Sequence, residues 1–156
     1  MDLFYQLKPS NEDRWHWGHT VSNDLIHWKD LPPAIYPNIE KDCFSGQTLV
    51  EKNRVIAIYH GTESGNNISI SSDKMLTRWD GLPNNPIIPI VPVDKNGLPY
   101  RVFDPCIWKE KDGYYSISGV YKNGERSVDC EGVNHLFYSK NLQKWEYIGE
   151  LFESSF

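Results

Sequence analysis

One carboxylate in the chain stands in a setting that suits chemistry on a bound ligand. Asp104 is followed directly by Pro105, and a proline biases the residue before it toward an extended backbone. An aspartate held in this way at the start of a strand presents a rigid carboxylate. The same dipeptide is common in ordinary turns, so these two residues alone do not distinguish a site from a turn.

Aromatic side chains are unusually frequent, with 6 Trp, 9 Tyr and 6 Phe. Flat rings stack on the apolar faces of sugar rings, and they also pack well on the pleated surface of β-sheets. Composition does not separate these two uses. Packing in the core is the expected use for most of these residues.

The histidines and cysteines do not form a metal or disulfide pattern. The 5 His and 3 Cys are scattered, without an H-x-x-x-H pair or the C-x-x-C spacing of a zinc site. We therefore expect no metal and no cofactor. Cys43, Cys106 and Cys130 are expected to be ordinary free thiols.

The composition is that of one globular domain. The chain has 156 residues, of which 39% are hydrophobic and 24% charged, and its net charge is −5. Lys and Arg do not cluster, which argues against a nucleic-acid partner, and no apolar run is long enough to cross a membrane. The first residues lack the basic and apolar pattern of a secretory leader. We expect either a cytoplasmic protein or one whose natural N-terminus lies further upstream.

Short strands between turns predict an all-β fold. Helical spacing of apolar residues is not sustained anywhere over a dozen positions. Asn96-Gly97, Asp112-Gly113 and Asn123-Gly124 are dipeptides that favour tight hairpins. The clearest predicted strands are Leu3–Leu7, Gly46–Val50, Arg54–Tyr59, Asn67–Ser71, Tyr114–Val120 and Val133–Tyr138.

A repeated unit consists of a strand, a Ser-x-Asp or Ser-x-Asn turn and a Trp. Two copies end in Ser22–Trp28 and Ser139–Trp145, and a looser copy ends in Ser71–Trp79. Repeats of this length made of short strands are typical of β-propeller blades. The Asp or Asn is expected to cap the turn, and the Trp to pack between blades.

The length of the chain corresponds to about three blades, whereas a closed propeller has at least four. Three blades alone leave edge strands and apolar faces uncovered. We therefore expect residues 1–156 to be part of a longer propeller domain. Oligomerisation is the alternative way of covering these faces.

Several motifs, in order and with correct spacing, resemble glycoside hydrolase family 32, the family of invertases, inulinases and levanases. Leu3–Pro9 resembles the family's F-Y-Q segment, and Trp17–Pro37 is close to its W-G-H-x-x-S-x-D-L-x-H-W-x-x-L-P pattern. Cys43–Gly46 resembles its C-F-S-G motif, and Val55–Gly61 the strand that follows. Phe103–Pro105 stands where the family has Arg-Asp-Pro.

This resemblance implies a five-bladed propeller with a funnel-shaped axial site and retaining hydrolysis of β-fructofuranosides such as sucrose or fructans. One carboxylate attacks the anomeric carbon and a second protonates the leaving oxygen. The family carries its nucleophile in Asn-Asp-Pro-Asn-Gly and its acid/base in Glu-Cys, and neither motif occurs in the chain. We expect them upstream of Leu3 and beyond Phe156. Cys130-Glu131 has the reverse order and precedes the last repeat.

The resemblance also assigns roles to residues that are present. Asp104 would bind sugar hydroxyls and stabilise the oxocarbenium-like transition state. Gln6 would hydrogen-bond the nucleophile or a fructosyl hydroxyl, and Trp17 would stack on the sugar. Phe44 and Ser45 would line the pocket, with Ser45 donating to a hydroxyl. The structural alternatives are a surface glutamine, a tryptophan between blades and a simple turn.

Phe103 departs from the family pattern, because an arginine there could orient Asp104 with a bidentate pair and a phenylalanine cannot. Arg101, on the same face of the strand, is a candidate replacement. Two other functions stay open. A non-catalytic sugar-binding remnant is favoured by Phe103 and the missing carboxylates. The other is a propeller glycosidase of the arabinanase or xylosidase type, and the Trp17–Pro37 segment argues against it.

Overall fold

A computed structural model describes residues 1–90, 102–121 and 131–152 of the chain. These parts contain twelve β-strands and no helix, and hence no helix that could span a membrane. The strands are β1 (Asp2–Leu7), β2 (His16–Val21), β3 (Lys29–Ile35), β4 (Cys43–Val50), β5 (Val55–Gly61), β6 (Gly65–Ser71), β7 (Asp80–Gly81), β8 (Ile88–Pro89), β9 (Phe103–Lys109), β10 (Tyr114–Tyr121), β11 (Gly132–Ser139) and β12 (Glu146–Phe152).

The strands form three antiparallel sheets that follow one another along the chain. The first sheet has the order β1-β2-β3, and the second the order β4-β5-β6-β7 with β8 also paired to β6. The third has the order β12-β11-β10-β9. β3 contains Pro32 and Pro33, which it tolerates because it lies at the edge of its sheet. The predicted all-β fold of successive blades is confirmed.

Hairpins join neighbouring strands, one of them at the predicted Asp112-Gly113 turn. The Glu51 N–H donates to the Arg54 carbonyl at 2.8 Å, and the Glu110 N–H to the Gly113 carbonyl at 2.8 Å. Side-chain burial alternates along the strands, as in β10, where buried and half-buried residues follow each other along its whole length. The turns predicted at 95–97 and 122–124 lie outside the described residues.

The three copies of the Ser-to-Trp unit fold into the same loop. The strands that follow them are β3, β7 and β12. The Ser side chain accepts from the backbone two residues on, at 3.2, 3.2 and 3.3 Å. The Trp indole donates to a Leu carbonyl at 3.1, 2.8 and 2.9 Å. That Leu has a left-handed φ in every copy: Leu25 67°, Leu76 52° and Leu142 69°. The looser copy is therefore a true repeat.

Apolar side chains fill the spaces between successive sheets. Between the second and third sheets, Ile56, Ile58 and Ile68 pack with Ile107 and Phe137. Each of these side chains is almost fully buried. A second cluster joins the first and second sheets and contains Trp17, Ala34, Ile35, Cys43, Ala57 and Tyr59. The sheets are thus stacked face to face, as blades are.

Two of the three repeat tryptophans pack against the cores between successive sheets. Trp79 meets the Phe4 ring edge-on at 5.6 Å, and Trp145 packs against the core of the third sheet. Trp28 is 39% exposed. Trp79 and Trp145 pack toward the preceding sheet, and the described residues contain no sheet before the first, so inter-blade packing stays a prediction for Trp28.

Candidate functional site

A β-bulge at the start of β4 aims the side chains of Phe44 and Ser45. Cys43 pairs with Gly61 and Gly46 with Tyr59, so β4 has one residue more than β5 across this interval. Such a bulge bends the strand and redirects its side chains, and bulges of this kind are common next to active sites. We refer to Cys43–Gly46 as the β4 bulge.

Gly46 allows the β4 bulge to lie close to its surroundings. A Cβ atom at this position would stand 2.1 Å from the Ile58 carbonyl oxygen and 2.9 Å from Cζ2 of Trp17. The backbone of β5 cannot yield by that amount without losing its ladder hydrogen bonds. A side chain at Gly46 is therefore excluded by packing.

Trp17 holds the β4 bulge from the first sheet. Its indole N–H donates to the Phe44 carbonyl at 2.7 Å. The ring packs against Phe4 at 6.0 Å and Tyr59 at 5.7 Å, and the residue is only 5% exposed. These contacts give Trp17 a clear packing role. Stacking on a sugar stays a prediction for this residue.

Gln6 and Ser45 meet although 39 residues separate them along the chain. The Gln6 amide N–H donates to Ser45 Oγ at 3.1 Å, which leaves the Ser45 hydroxyl hydrogen free to donate to a ligand. Gln6, Trp17, Phe44 and Ser45 all line one open cavity of about 390 Å³. The structure thus brings together four of the residues that the sequence singled out.

A buried polar group supports the β4 bulge from behind. Oε1 of Glu40 accepts from the Tyr59 hydroxyl at 2.8 Å and from the Cys43 thiol at 3.4 Å. Burial, together with the nearby Glu40 carboxylate, raises the pKa of both Cys43 and Tyr59. Cys43 is therefore an unreactive thiol, as expected of a structural cysteine.

A second bulge, at the start of β9, carries Asp104. Phe103 pairs with Gly119 and Cys106 with Ile117, so the extra residue falls at Asp104-Pro105. We refer to Phe103–Cys106 as the β9 bulge. It occupies the same place in the third sheet as the β4 bulge does in the second, since β4 and β9 each open their sheet.

The Asp104 backbone differs from the prediction that Pro105 makes. Its φ is 41°, which is left-handed rather than extended, because the bulge turns the chain at this residue. Aspartate tolerates this region better than most residues, but such a conformation still costs of order 1–3 kcal/mol. Backbone strain of this kind clusters at functional sites.

Asp104 is exposed and lies apart from the cavity at the β4 bulge. It lines a second depression of about 470 Å³, together with Phe103, Gly119, Tyr121 and Asn134. The strands that carry the two bulges are nevertheless joined directly, because the Gln47 side chain accepts a hydrogen bond from the Ile107 N–H at 2.8 Å. Both bulges stand at the beginning of these adjoining strands and so face the same end of the stack.

Phe103 takes part in a ring cluster that the sequence did not reveal. Its ring lies 5.2 Å from that of His60 and 5.2 Å from that of Tyr121. The sequence does not mark His60 as a site residue, because it lies at the end of a largely apolar strand and belongs to no metal or catalytic motif. Arg101, the suggested replacement for the family arginine, lies outside the described residues.

The described residues contain no cluster of three or more His, Cys, Asp or Glu side chains that could bind a metal. Cys106 is exposed and Cys43 buried, and both are free. Cys130 lies outside the described residues.

The chain is similar to several characterised proteins. It is 34% identical to a levanase of Bacillus subtilis and 32% identical to a fructan 6-exohydrolase of Beta vulgaris. These alignments cover 95% and 98% of the chain but 22% and 27% of the relatives. The chain thus spans about a quarter of the length of these curated relatives.

Solved structures agree with this similarity. A Bombyx mori β-fructofuranosidase of family 32 is 32% identical and superposes with a TM-score of 0.74, covering 98% of the chain and 32% of the enzyme. A sucrose-6-phosphate hydrolase from Lactobacillus gasseri has a TM-score of 0.76 at 23% identity, which bears on the fold alone. The family model named "Glycosyl hydrolases family 32 N-terminal domain" matches residues 2–156. The chain therefore belongs to glycoside hydrolase family 32 and forms about three blades of its N-terminal β-propeller domain.

Proposed function

We propose that the full-length protein hydrolyses β-fructofuranosides with retention of configuration, and that this chain supplies one wall of the sugar pocket and one of three carboxylates. The observation that carries the proposal is the convergence of Gln6, Trp17, Phe44 and Ser45 on one cavity. An amide, a hydroxyl and aromatic rings around an open cavity suit a small polyhydroxylated ligand. The relatives named levanase and fructan 6-exohydrolase support a fructoside as the substrate.

Asp104 is proposed as the transition-state stabiliser. Its carboxylate is exposed, stands on a strained bulge and lies among aromatic residues. In this position it would accept hydrogen bonds from two sugar hydroxyls. Those bonds strengthen as positive charge develops on the ring in an oxocarbenium-like transition state. Asp104 would thus act on the reaction rate more than on ground-state binding.

The nucleophile and the acid/base are proposed to come from parts of the full-length protein outside these 156 residues. Retaining glycosidases hold these two carboxyl groups about 5 Å apart, and the family motifs that carry them do not occur in the sequence. The 156-residue chain alone is therefore expected to release no fructose. Release of fructose by the purified chain would contradict this assignment.

The test of Asp104 is a substitution in the full-length protein. Asp104→Ala is expected to lower kcat on sucrose or a fructan by about 10²–10³-fold, with a smaller effect on folding. Asp13→Ala is the matched control, because the Asp13 carboxylate is 99% exposed and pairs with Lys8 at the surface. Equal turnover by the wild type and Asp104→Ala would remove Asp104 from the mechanism.

A sugar-binding protein without catalysis is the second candidate. Phe103 favours it, because its ring is surrounded by His60 and Tyr121 and offers Asp104 no charged partner. Calorimetric titration of the full-length protein with sucrose and fructan would separate the two functions. Binding without any fructose release would support the second candidate, and turnover would support the first.

A further inference from the structure

We propose that His60 is a positioning residue for Asp104, and that it links the β4 bulge to the β9 bulge. This inference deepens the proposed function and rests on it. Within the family pattern an arginine precedes the aspartate, whereas in this chain the preceding residue is Phe103. The polar support for the carboxylate would then come from another sheet.

His60 lies where the two bulges meet. It is the next-to-last residue of β5, and the following residue, Gly61, pairs with Cys43 at the first position of the β4 bulge. On its other side the imidazole contacts the Phe103 ring, with the centroids 5.2 Å apart and the planes at 48°. Phe103 is the first residue of the β9 bulge and the direct neighbour of Asp104. His60 thus adjoins the β4 bulge through its backbone neighbour Gly61 and contacts the β9 bulge with its side chain.

The imidazole of His60 has unused hydrogen-bonding capacity. The residue is only 4% exposed, and its Nδ1 has no hydrogen-bond partner among the described residues. A buried polar atom without a partner is destabilising, so its retention calls for a reason. A carboxylate that approaches the imidazole when the site is occupied would satisfy this atom.

Asp104 and Asn66 are the polar groups that act on the His60 imidazole, Asp104 through its charge and Asn66 through a hydrogen bond. Asn66 stands opposite His60 in the β5–β6 ladder. Burial lowers the pKa of His60, while Asn66 and the negative charge of Asp104 act in the opposite direction. Burial therefore favours the uncharged imidazole, in which one of the two nitrogens carries a hydrogen. A neutral N–H donor orients a carboxylate without neutralising its charge.

The strain at Asp104 fits this role. A left-handed backbone at a residue other than glycine persists only where the surroundings hold it. Around Asp104, the Phe103 ring is fixed between His60 and Tyr121, so His60 holds the segment by packing, to which the proposed polar contact would add. His60→Phe would keep the packing and remove the polar part.

The first experiment follows the titration of His60 by NMR in the wild type and in Asp104→Asn. If the carboxylate faces the imidazole, removal of its charge lowers the pKa of His60 further, because the imidazolium loses an attractive partner. Asp24→Asn is the matched control. It removes a carboxylate that lies 2.7 Å from Nδ1 of another histidine, His27, and is expected to leave the titration of His60 unchanged. Identical titration of His60 in the wild type and Asp104→Asn would overturn the inference.

The second experiment measures kcat and KM of His60 variants of the full-length protein. His60→Phe is expected to lower kcat by about tenfold or more with little change in KM, and His60→Gln to recover part of kcat through its amide N–H. Wild-type kcat in His60→Phe would contradict a positioning role. If the wild-type protein turns over no fructoside at all, the proposed function fails, and the NMR titration still decides whether His60 and Asp104 interact.

Discussion

The β4 bulge and the β9 bulge have the same form and are held in different ways. Each inserts one residue near the start of the strand that opens its sheet. The β4 bulge is fixed by the Trp17 indole, which donates to the Phe44 carbonyl, and by the absence of a side chain at Gly46. The β9 bulge is held by ring packing around Phe103 and carries a strained backbone at Asp104.

This difference separates two requirements of a sugar site. A pocket wall must keep its shape, and the β4 bulge achieves this with backbone hydrogen bonds and close contacts. A carboxylate that acts on a transition state must point in a direction that ordinary strand geometry does not provide. The β9 bulge provides it through strain, which other contacts must balance. The two bulges should therefore respond in opposite ways to substitution.

The largest expected effect is that of a single methyl group in the β4 bulge. Gly46→Ala would place Cβ 2.1 Å from the Ile58 carbonyl oxygen, and the resulting backbone shift should cost about 3 kcal/mol of unfolding free energy. Gly119→Ala is the control at the β9 bulge, because nothing lies within 4 Å of its Cβ position. Chemical denaturation measures both. Equal losses in the two variants would show that the bulges are not held differently.

The next largest loss of stability is expected at the contact between the two sheets that carry the bulges. Glu51 of the second sheet bonds Lys109 and, at 2.9 Å, the Tyr114 hydroxyl of the third. Arg54 donates to its other oxygen at 2.6 Å. Glu51→Gln removes the charge from a side chain that is only 14% exposed and is expected to cost about 1–3 kcal/mol. An unchanged midpoint of denaturation would show that these contacts do not hold the sheets together.

The Glu51 carboxylate also predicts how the stability of the fold depends on pH. Burial alone would raise the pKa of Glu51, but the hydrogen bonds from Lys109, Arg54 and Tyr114 outweigh burial and lower this pKa to about 2. Because the folded-state pKa is depressed, the stabilisation is fully present above the ordinary value of 4.5 and is lost as the pH falls toward about 2. Denaturation of the wild type and Glu51→Gln should therefore converge at low pH. Parallel curves down to the acid limit would contradict the pKa assignment.

The strain at Asp104 is tested by a pair of substitutions that both remove the carboxylate. Asp104→Gly should be about 1 kcal/mol more stable than Asp104→Ala, because only glycine adopts a left-handed φ without cost. At Phe44 of the β4 bulge, whose φ is not positive, Gly should be less stable than Ala. Thermal unfolding of the four variants gives both differences. The same order at both positions would show that Asp104 is not strained.

The smallest effect on stability is expected at Ser45. Its hydroxyl accepts from Gln6 at an exposed position, so Ser45→Ala should change the unfolding free energy by less than about 0.5 kcal/mol. Loss of a donor to a sugar hydroxyl should still raise KM of the full-length protein several-fold. Ser10→Ala, at an exposed position outside the cavity, is the control. An unchanged KM would remove Ser45 from the pocket.

Much of the fold could be predicted from the sequence, because the relevant interactions are local. The Ser-to-Trp loops close through hydrogen bonds between residues a few positions apart, so their pattern is visible as a repeat in the sequence. Strands such as β10 show their alternation directly. The order of the motifs also identified the family and four residues of the cavity.

The tertiary structure alone decided how these pieces meet. Gln6 reaches Ser45 across 39 positions, and His60 contacts Phe103 because β5 and β9 pack from neighbouring sheets. The local preference of an Asp-Pro pair for an extended backbone was overridden at Asp104 by the bulge. Contacts between sheets depend on the register of each strand and on where its bulges fall. The sequence of one segment does not contain that information, because it is set by the partner that the segment packs against.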